Sequence, residues 1–193
     1  MEAGFEDIDI GKLIERINFP QLNTRPEVIR IIMEAIRLKL GVRLKYRSLS
    51  HPNGSYRILY PHILVDSGFR WHIRAYCDKR KDFRDFNLSR IADNPVVTDT
   101  YDENADPSLD SDWNTIVELV IKANPLLSNA EQGLIESEFN MRKAALIIKT
   151  RGSLVPYVLQ TYQVNTMTDD QNPRRDRLIL SNKDDVASFT WEA

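Results

Sequence analysis

Tyr60-Pro61-His62-Ile63-Leu64-Val65-Asp66-Ser67-Gly68-Phe69-Arg70-Trp71-His72-Ile73-Arg74-Ala75-Tyr76-Cys77, with Phe83-Arg84-Asp85-Phe86-Asn87-Leu88-Ser89-Arg90-Ile91 after it, decides the fold of this chain. Side chains alternate across an extended strand. On a strand over 69–77, Trp71, Ile73 and Ala75 therefore share one face, and Arg70, His72, Arg74 and Tyr76 share the other. On a strand over 83–91, Arg84, Phe86, Leu88 and Arg90 form one face and Phe83, Asp85, Asn87 and Ser89 the opposite one. Asp66-Ser67-Gly68 and the charged run Asp78-Lys79-Arg80-Lys81-Asp82 are the turns. Arginine, histidine and aromatic side chains are thus expected to converge on adjacent strands. A guanidinium offers a planar donor fork to phosphate or carboxylate, and an aromatic ring offers a stacking face. The combination suits a nucleotide or a short nucleic acid.

Outward from this stretch the same period continues. Val42, Leu44 and Tyr46 alternate with Arg43, Lys45 and Arg47, which predicts a half-buried strand. His51-Pro52-Asn53-Gly54-Ser55 predicts a hairpin turn, with Asn-Gly supplying positive φ. A second strand is expected over Tyr56–Val65, with Pro61 at an edge or a bulge. Upstream, Thr24-Arg25-Pro26-Glu27 has capping-box spacing, and Val28, Ile31, Ile32, Ala35 and Ile36 follow helical spacing over roughly 25–39. A shorter helix is expected over 5–19. One helix and four or five short strands with tight turns suggest a small antiparallel barrel.

The run 99–112 holds six acids and no base, and reads as a linker. Beyond it the order is strand, helix, strand, helix, strand. Trp113–Ala123 is the first strand, and a capping box at Ser128-Asn129-Ala130-Glu131 opens a helix to Phe139. A strand over Ala144–Thr150, a helix capped by Ser153 and a strand over Arg177–Ser181 complete a small α/β domain, of ferredoxin-like kind. The expected class is α+β. Its parts are a linker and helix at 1–23, a helix-plus-barrel domain at 24–98, the acidic linker at 99–112 and a C-terminal extension domain at 113–193.

The charge is uneven. The chain carries 26 Lys+Arg against 28 Asp+Glu, a net −2. Residues 43–90 alone hold 11 bases and 4 acids, leaving the remainder at −9. A basic segment in an acidic chain points to a local anionic partner, or to a solvated sheet surface. No apolar run reaches the roughly 20 residues of a membrane span, and the acidic amphipathic N-terminus is no secretory signal. The single cysteine, Cys77, excludes an intrachain disulfide and fits a cytoplasmic setting. It reads as a small buried residue. There is no phosphate-binding glycine loop and no nucleophile elbow. His51, His62 and His72 have no zinc spacing. No metal, no cofactor and no chain-borne catalysis are therefore expected, and an enzyme acting on nucleic acid is disfavoured.

These residues resemble the WYL family of transcriptional regulators. Trp71-His72-Ile73 stands where that family has its signature Trp-Tyr-Leu. Pro61, Arg74-Ala75-Tyr76-Cys77, Arg84-x-Phe86-x-Leu88-x-Arg90-Ile91, Tyr46-Arg47-Ser48 and Arg57 also match, over roughly 25–95. The Trp-His variant with Phe83-Arg84-Asp85-Phe86 is most similar to repressors of anti-phage defence islands, of BREX- and CBASS-associated type. The resemblance implies an Sm- or SH3-like barrel, a homodimer held through the C-terminal extension, and a sensor of an anionic ligand, either a nucleotide or single-stranded nucleic acid. It implies Tyr46, Ser48, Arg57, His62, His72, Arg74, Tyr76, Arg84, Phe86, Ser89 and Arg90 as the ligand face. Operator DNA would be contacted only through an N-terminal winged helix, for which the stretch before Thr24 is too short. His72 departs from the signature tyrosine, so any bond or stack from that ring must differ.

The residues also support plainer readings. Trp71 alternates with Ile73 and Ala75 as barrel core would. Tyr76 and Phe86 suit core or stacking equally. Arg74, Arg84 and Arg90 can pair with Asp78, Asp82 and Asp85 across strands, and Arg43, Lys45 and Arg47 can simply solvate a face. The alternative function is an interaction or dimerisation module with no small ligand.

Overall fold

The structure is a computed structural model in which residues 24–164 and 172–190 are described; the helix expected over 5–19 lies outside them. The chain divides into two compact units between Tyr101 and Asp102. The class is mixed α+β with antiparallel sheets.

The first unit opens with α1 (Pro26–Leu38). Pro26 sits in its first turn, where the missing N–H costs nothing. The expected Thr24–Glu27 box does not form: the N-cap is Arg25, with no side-chain cap bond. Arg25 instead donates to Asn94 Oδ1 at 3.0 Å and to the Asp93 carbonyl, fixing the helix start on a distant loop. Val28, Ile32 and Ala35 are buried on one helical stripe.

Four strands follow: β1 (Val42–Ser48), β2 (His51–Asp66), β3 (Trp71–Cys77) and β4 (Asp82–Asn87). A 3-10 turn at Leu88–Arg90 leads to β5 (Val96–Val97). The sheet order is β4-β3-β2-β1-β5. The β1–β2 turn is at Leu49-Ser50 rather than at Asn53-Gly54. Gly54, at φ +79°, lies inside β2, where a register shift falls between the Tyr46 and Ser48 pairings. Positive φ there helps absorb two extra residues of β2 instead of reversing the chain.

This sheet is strongly curled. Ile91 forms a bridge with Tyr46 of β1, only four residues after Asn87 has paired with His72 of β3. In a flat sheet β4 and β1 would lie about 14 Å apart. A 3-10 turn, rising about 2 Å per residue, cannot cover that distance in four residues. β1 and β4 are therefore brought together across the concave side, as a small barrel requires. The paired strands remain open between β4 and β5.

The concave side holds the core: Val42, Leu44, Leu59, Ile73, Ala75, Cys77, Phe86, Leu88 and Ile91, with Val28, Ile32 and Ala35 of α1 laid against them. Pro61 marks a bulge within a central strand, since the pairing slips between Pro61–Ala75 and Ile63–Arg74. Trp71 departs from the core reading: it is 39% exposed, at the rung opposite Asp66 where the core has ended.

In the second unit the acidic run is built of capped turns. Asp102, Asp106 and Asp110 accept from the backbone N–H of Asn104, Ser108 and Trp113, each opening a short helical segment. Short polar side chains suit that place because they satisfy orphan N–H groups. The last segment, α2 (Ser111–Asn114), takes in Trp113. Next come β6 (Ile116–Ala123), α3 (Asn129–Glu138), β7 (Leu146–Arg151), α4 (Val155–Thr161) and β8 (Leu178–Leu180). The Ser128–Glu131 capping box forms in full. Ser153 lies instead in a 3-10 turn, and α4 has no side-chain cap. The sheet order is β7-β6-β8 with both pairings antiparallel. A ferredoxin-like split βαβ unit would need a parallel relation, which these described strands lack.

Ile32 is fully buried, whereas its neighbour Met33 is 57% exposed. Ile32→Ala is expected to lower unfolding free energy by about 2–4 kcal/mol, from lost burial plus the cavity left behind. Met33→Ala should change it by less than about 0.5 kcal/mol. Denaturant titrations of both variants check this.

Candidate functional site

At one end of the concave side, four elements bring polar groups together around Tyr46. Tyr46 is buried, and its ring meets Phe86 edge-on at 5.1 Å between centroids. Its hydroxyl accepts the Asn87 N–H at 3.0 Å. The Arg57 guanidinium lies over both rings, 5.2 Å from the Tyr46 centroid and 5.8 Å from that of Phe86. Such stacks hold a cation beside a ring while leaving donor edges open. Arg57 Nη2 donates to Ser55 Oγ at 2.9 Å.

The 3-10 turn supplies the rest. Asn87 Oδ1 accepts from Ser89 N at 3.1 Å and from Ser89 Oγ at 2.9 Å, which caps the turn. The turn in turn sets Arg90 beside the Tyr46 hydroxyl. Burial raises the Tyr46 hydroxyl above its ordinary pKa, against the opposing pull of Asn87, Arg90 and Arg57, so the phenol stays neutral at physiological pH. Among the described residues no carboxylate lies within ion-pair distance of Arg57 or Arg90. Two guanidinium groups, two aromatic rings and the hydroxyls of Ser55 and Ser89 thus form a site suited to an anion with a planar group.

The strand register divides the sequence-derived residues. Ile73 faces Phe86 and Ala75 faces Arg84, while Arg74 faces Asp85 and His72 faces Asn87. Tyr46, Arg57, Phe86, Ser89 and Arg90 come together. His72, Arg74 and Tyr76 belong to the opposite, convex face. The expected convergence of the Arg74 row with the Arg84–Phe86 row therefore does not occur, because rows of opposite parity point apart. Arg74 is buried with Asp85 at 3.6 Å. Tyr76 packs against Phe83 at 5.3 Å and Tyr60 at 6.5 Å, and His62 meets Phe83 at 5.8 Å. Arg84 is exposed beside Asp82 at 3.2 Å. Ser48 serves the β1–β2 turn, bonded to Ser50 and to the His51 N–H.

Two members of the cluster escape a sequence reading. Ser55 is found only through its pairing with Tyr46. Asn87 was legible in principle as the first residue of an Asn-x-Ser turn.

In the second unit a cavity of about 360 Å³ is lined by Phe139, Tyr162, Arg175 and Arg177 among others. Both arginines already face carboxylates, Asp176 at 2.9 Å and Glu138 at 3.2 Å. It is a weaker anion site than the Tyr46 cluster. Among the described residues no group of histidine, cysteine and acidic side chains has the arrangement of a metal site, and no helix is long and apolar enough to cross a membrane.

Comparison with known proteins agrees with this geometry. The WYL domain family matches residues 27–95. The family described as the BrxR transcriptional regulator, C-terminal dimerization domain, matches residues 116–186. This chain carries a WYL domain and a BrxR C-terminal dimerization domain. The Tyr46 cluster lies wholly within the WYL domain.

Relatives are named DNA-binding transcriptional repressor CapW. That of Pseudomonas aeruginosa is 39% identical over 169 residues, covering 86% of this chain and 56% of the relative. That of Escherichia coli strain KTE188 is 36% identical, covering 83% and 52%. That of Stenotrophomonas maltophilia is 25% identical, covering 90% and 57%. The chain thus spans about half the length of these relatives. Among solved structures, proteasome accessory factor B/C of Arthrobacter aurescens aligns with a TM-score of 0.37 at 15% identity, over 86% of this chain and 27% of that one.

His72, the residue that departs from the WYL signature, is 1% exposed. Burial first, and then Arg70 and Arg74, lower its pKa from 6.5 to about 4, with Asp66 opposing. The folded protein holds it neutral, while the unfolded chain takes up a proton below about 6.5. Stability from this source is complete above that pH and is lost as pH falls toward 4. The loss between pH 7 and pH 5 is about 2 kcal/mol. Denaturant midpoints at the two pH values should show that decline in the natural protein and a shallower one in His72→Gln.

Proposed function

We propose that this chain is the ligand-sensing and dimerising part of a WYL-type transcriptional regulator, a binding protein rather than an enzyme. An anionic ligand, a nucleotide or short nucleic acid, docks at the Tyr46 cluster. Its phosphate lies between Arg57 and Arg90, and its planar group lies against the Arg57 guanidinium that covers the aromatic pair. Occupancy biases the arrangement of a homodimer and so the operator affinity of a DNA-binding domain outside the described residues. The observation that carries this reading is the convergence of two guanidinium groups on Tyr46 and Phe86 with no carboxylate partner among the described residues. Arg57 is half-buried, and half-buried cations normally sit beside counter-charges, so the absence of one among the described residues favours an external anion. The names of the CapW relatives support the regulatory half of the proposal.

The dimer contact we assign to the face of the second sheet that carries Ile116, Val120, Ile147 and Ile179. Ile116 and Ile147 are each more than half exposed. Across this face Glu118 and Lys149 stand opposite each other at 3.7 Å. A two-fold axis through such a patch lets Glu118 of one copy meet Lys149 of the other, because isologous interfaces are self-complementary. The match of residues 116–186 to a dimerization domain supports it.

Two measurements test the proposal. A labelled mononucleotide or dinucleotide, titrated by fluorescence anisotropy, should bind the natural protein. Arg90→Ala, an exposed position, should weaken binding about tenfold or more, the loss of one charge-assisted contact. No binding by the folded protein counts against the ligand. In sedimentation, Ile147→Lys should convert the dimer to a monomer with an unchanged circular dichroism spectrum. A dimer that persists places the contact elsewhere.

A further inference from the structure

The convex face of β1 and β2 carries a second anion-directed surface. Arg43, Lys45 and Arg47 project from it at alternate positions of one strand, away from the core side chains Val42, Leu44 and Tyr46. Side chains two residues apart on a strand step by about 6.8 Å. Tyr56 stands opposite Lys45 in the pairing and is 57% exposed. The Arg43 guanidinium lies 5.3 Å from the centroid of that ring.

Among the described residues no carboxylate lies within ion-pair distance of Arg43, Lys45 or Arg47. The adjacent acid, Asp93, is engaged by the Lys45 backbone N–H at 2.9 Å. Elsewhere on the strands the pattern is different: Arg74, Arg84 and Lys149 each lie beside an acid.

The row is also held in place. Gly54 lies under the stems of Lys45 and Arg47, and a Cβ there would come within 3.1 Å of Lys45 Cγ and 3.4 Å of Arg47 Cγ. With no side chain at Gly54, those stems have room to lie against β2.

We propose that this face binds the phosphate backbone of a nucleic-acid strand, separately from the Tyr46 cluster on the concave side. Each strand of a nucleic acid carries a charge about every 3.4 Å along its axis. The phosphates wind around that axis, so consecutive ones stand about twice that distance apart through space, and a cation row stepping by about 6.8 Å meets them in turn. Tyr56, with Arg43 at its edge, gives an unstacked base a ring to lie on. An acidic peptide would use the charges but would have no planar groups for Tyr56.

The test is anisotropy titration of the full chain with a labelled single strand of about 20 nucleotides, over roughly 50–300 mM salt. Three phosphate contacts give a slope of log affinity against log salt near −2 for a single strand. The triple variant Arg43→Gln/Lys45→Gln/Arg47→Gln should lose most of that slope and bind at least about tenfold more weakly at the lowest salt. Arg47→Gln alone should reduce the slope by about 0.7. Tyr56→Ala should weaken binding to the single strand more than to a duplex of the same length. All four substitutions are at surface positions, and unchanged circular dichroism confirms that each variant is folded.

Arg90→Ala separates the two sites: it should weaken the mononucleotide about tenfold or more while the strand keeps most of its salt slope, which the β1 row sets. The proposal is overturned by a natural protein that binds no strand, or by a triple variant with the natural slope. It is equally overturned if Arg90→Ala, and not the triple variant, abolishes strand binding. Equal competition by polyglutamate, with no effect of Tyr56→Ala, would assign the face to acidic protein instead.

Discussion

The hydrogen bond from the Asn87 N–H to the Tyr46 hydroxyl crosses the concave side of a five-stranded sheet and joins strands that are not neighbours in its order. It works with the Tyr46–Phe86 ring contact and the Ile91 bridge, all within a few residues of each other. Together these contacts set the curl of the sheet. The curl encloses Leu44, Ile73 and Leu88 and gives α1 a closed surface to lie on. It also defines the candidate site, since Arg57 can cover both rings only where β1 and β4 approach each other. The stabilising contact and the site share the same atoms, so the chemistry of Tyr46 is constrained by packing as well as by any ligand.

Much of this architecture was legible because alternation is a local signal. Val42, Leu44 and Tyr46 are buried as their spacing predicts, and the Ser128–Glu131 capping box forms as written. Register was not legible. Alternation assigns each residue of a strand to one of two faces, but it does not say which residue of the neighbour lies opposite. Pairing Ile73 with Phe86 placed Arg74 and Arg84 on different faces, which the strands taken singly could not reveal. The second miss concerns burial. A polar row normally marks a solvent face, yet His72, Arg74 and Tyr76 are all buried. Arg74 has Asp85 and Tyr76 has two aromatic neighbours, partners that come from the flanking strands β2 and β4 and depend on their register.

The acidic run shows the limit of composition. Six acids in a short stretch suggest solvated coil, but three of them, spaced at four-residue intervals, each open a backbone turn. Position within the turn matters more here than charge. The basic segment shows the converse. Its excess charge is real, and the fold distributes it unequally: some arginines are matched to acids, whereas the concave cluster and the convex row of β1 have no acid partner among the described residues.

The bulge at His62 carries a consequence for how such a strand can change. Leu59 and Leu64 both face the core, although one has an odd number and the other an even one. The strand changes parity at the bulge, so a single chain segment obeys two different alternation rules on either side of one residue. Removing that residue would restore plain alternation and keep Leu59, Pro61 and Leu64 on one face, because Pro61–Ala75 and Ile63–Arg74 are consecutive rungs. A one-residue deletion is therefore absorbed at the bulge, whereas elsewhere in the paired strand it exchanges the core and outer faces, so the strand's length is fixed by arithmetic more strictly than its composition is by hydrophobicity.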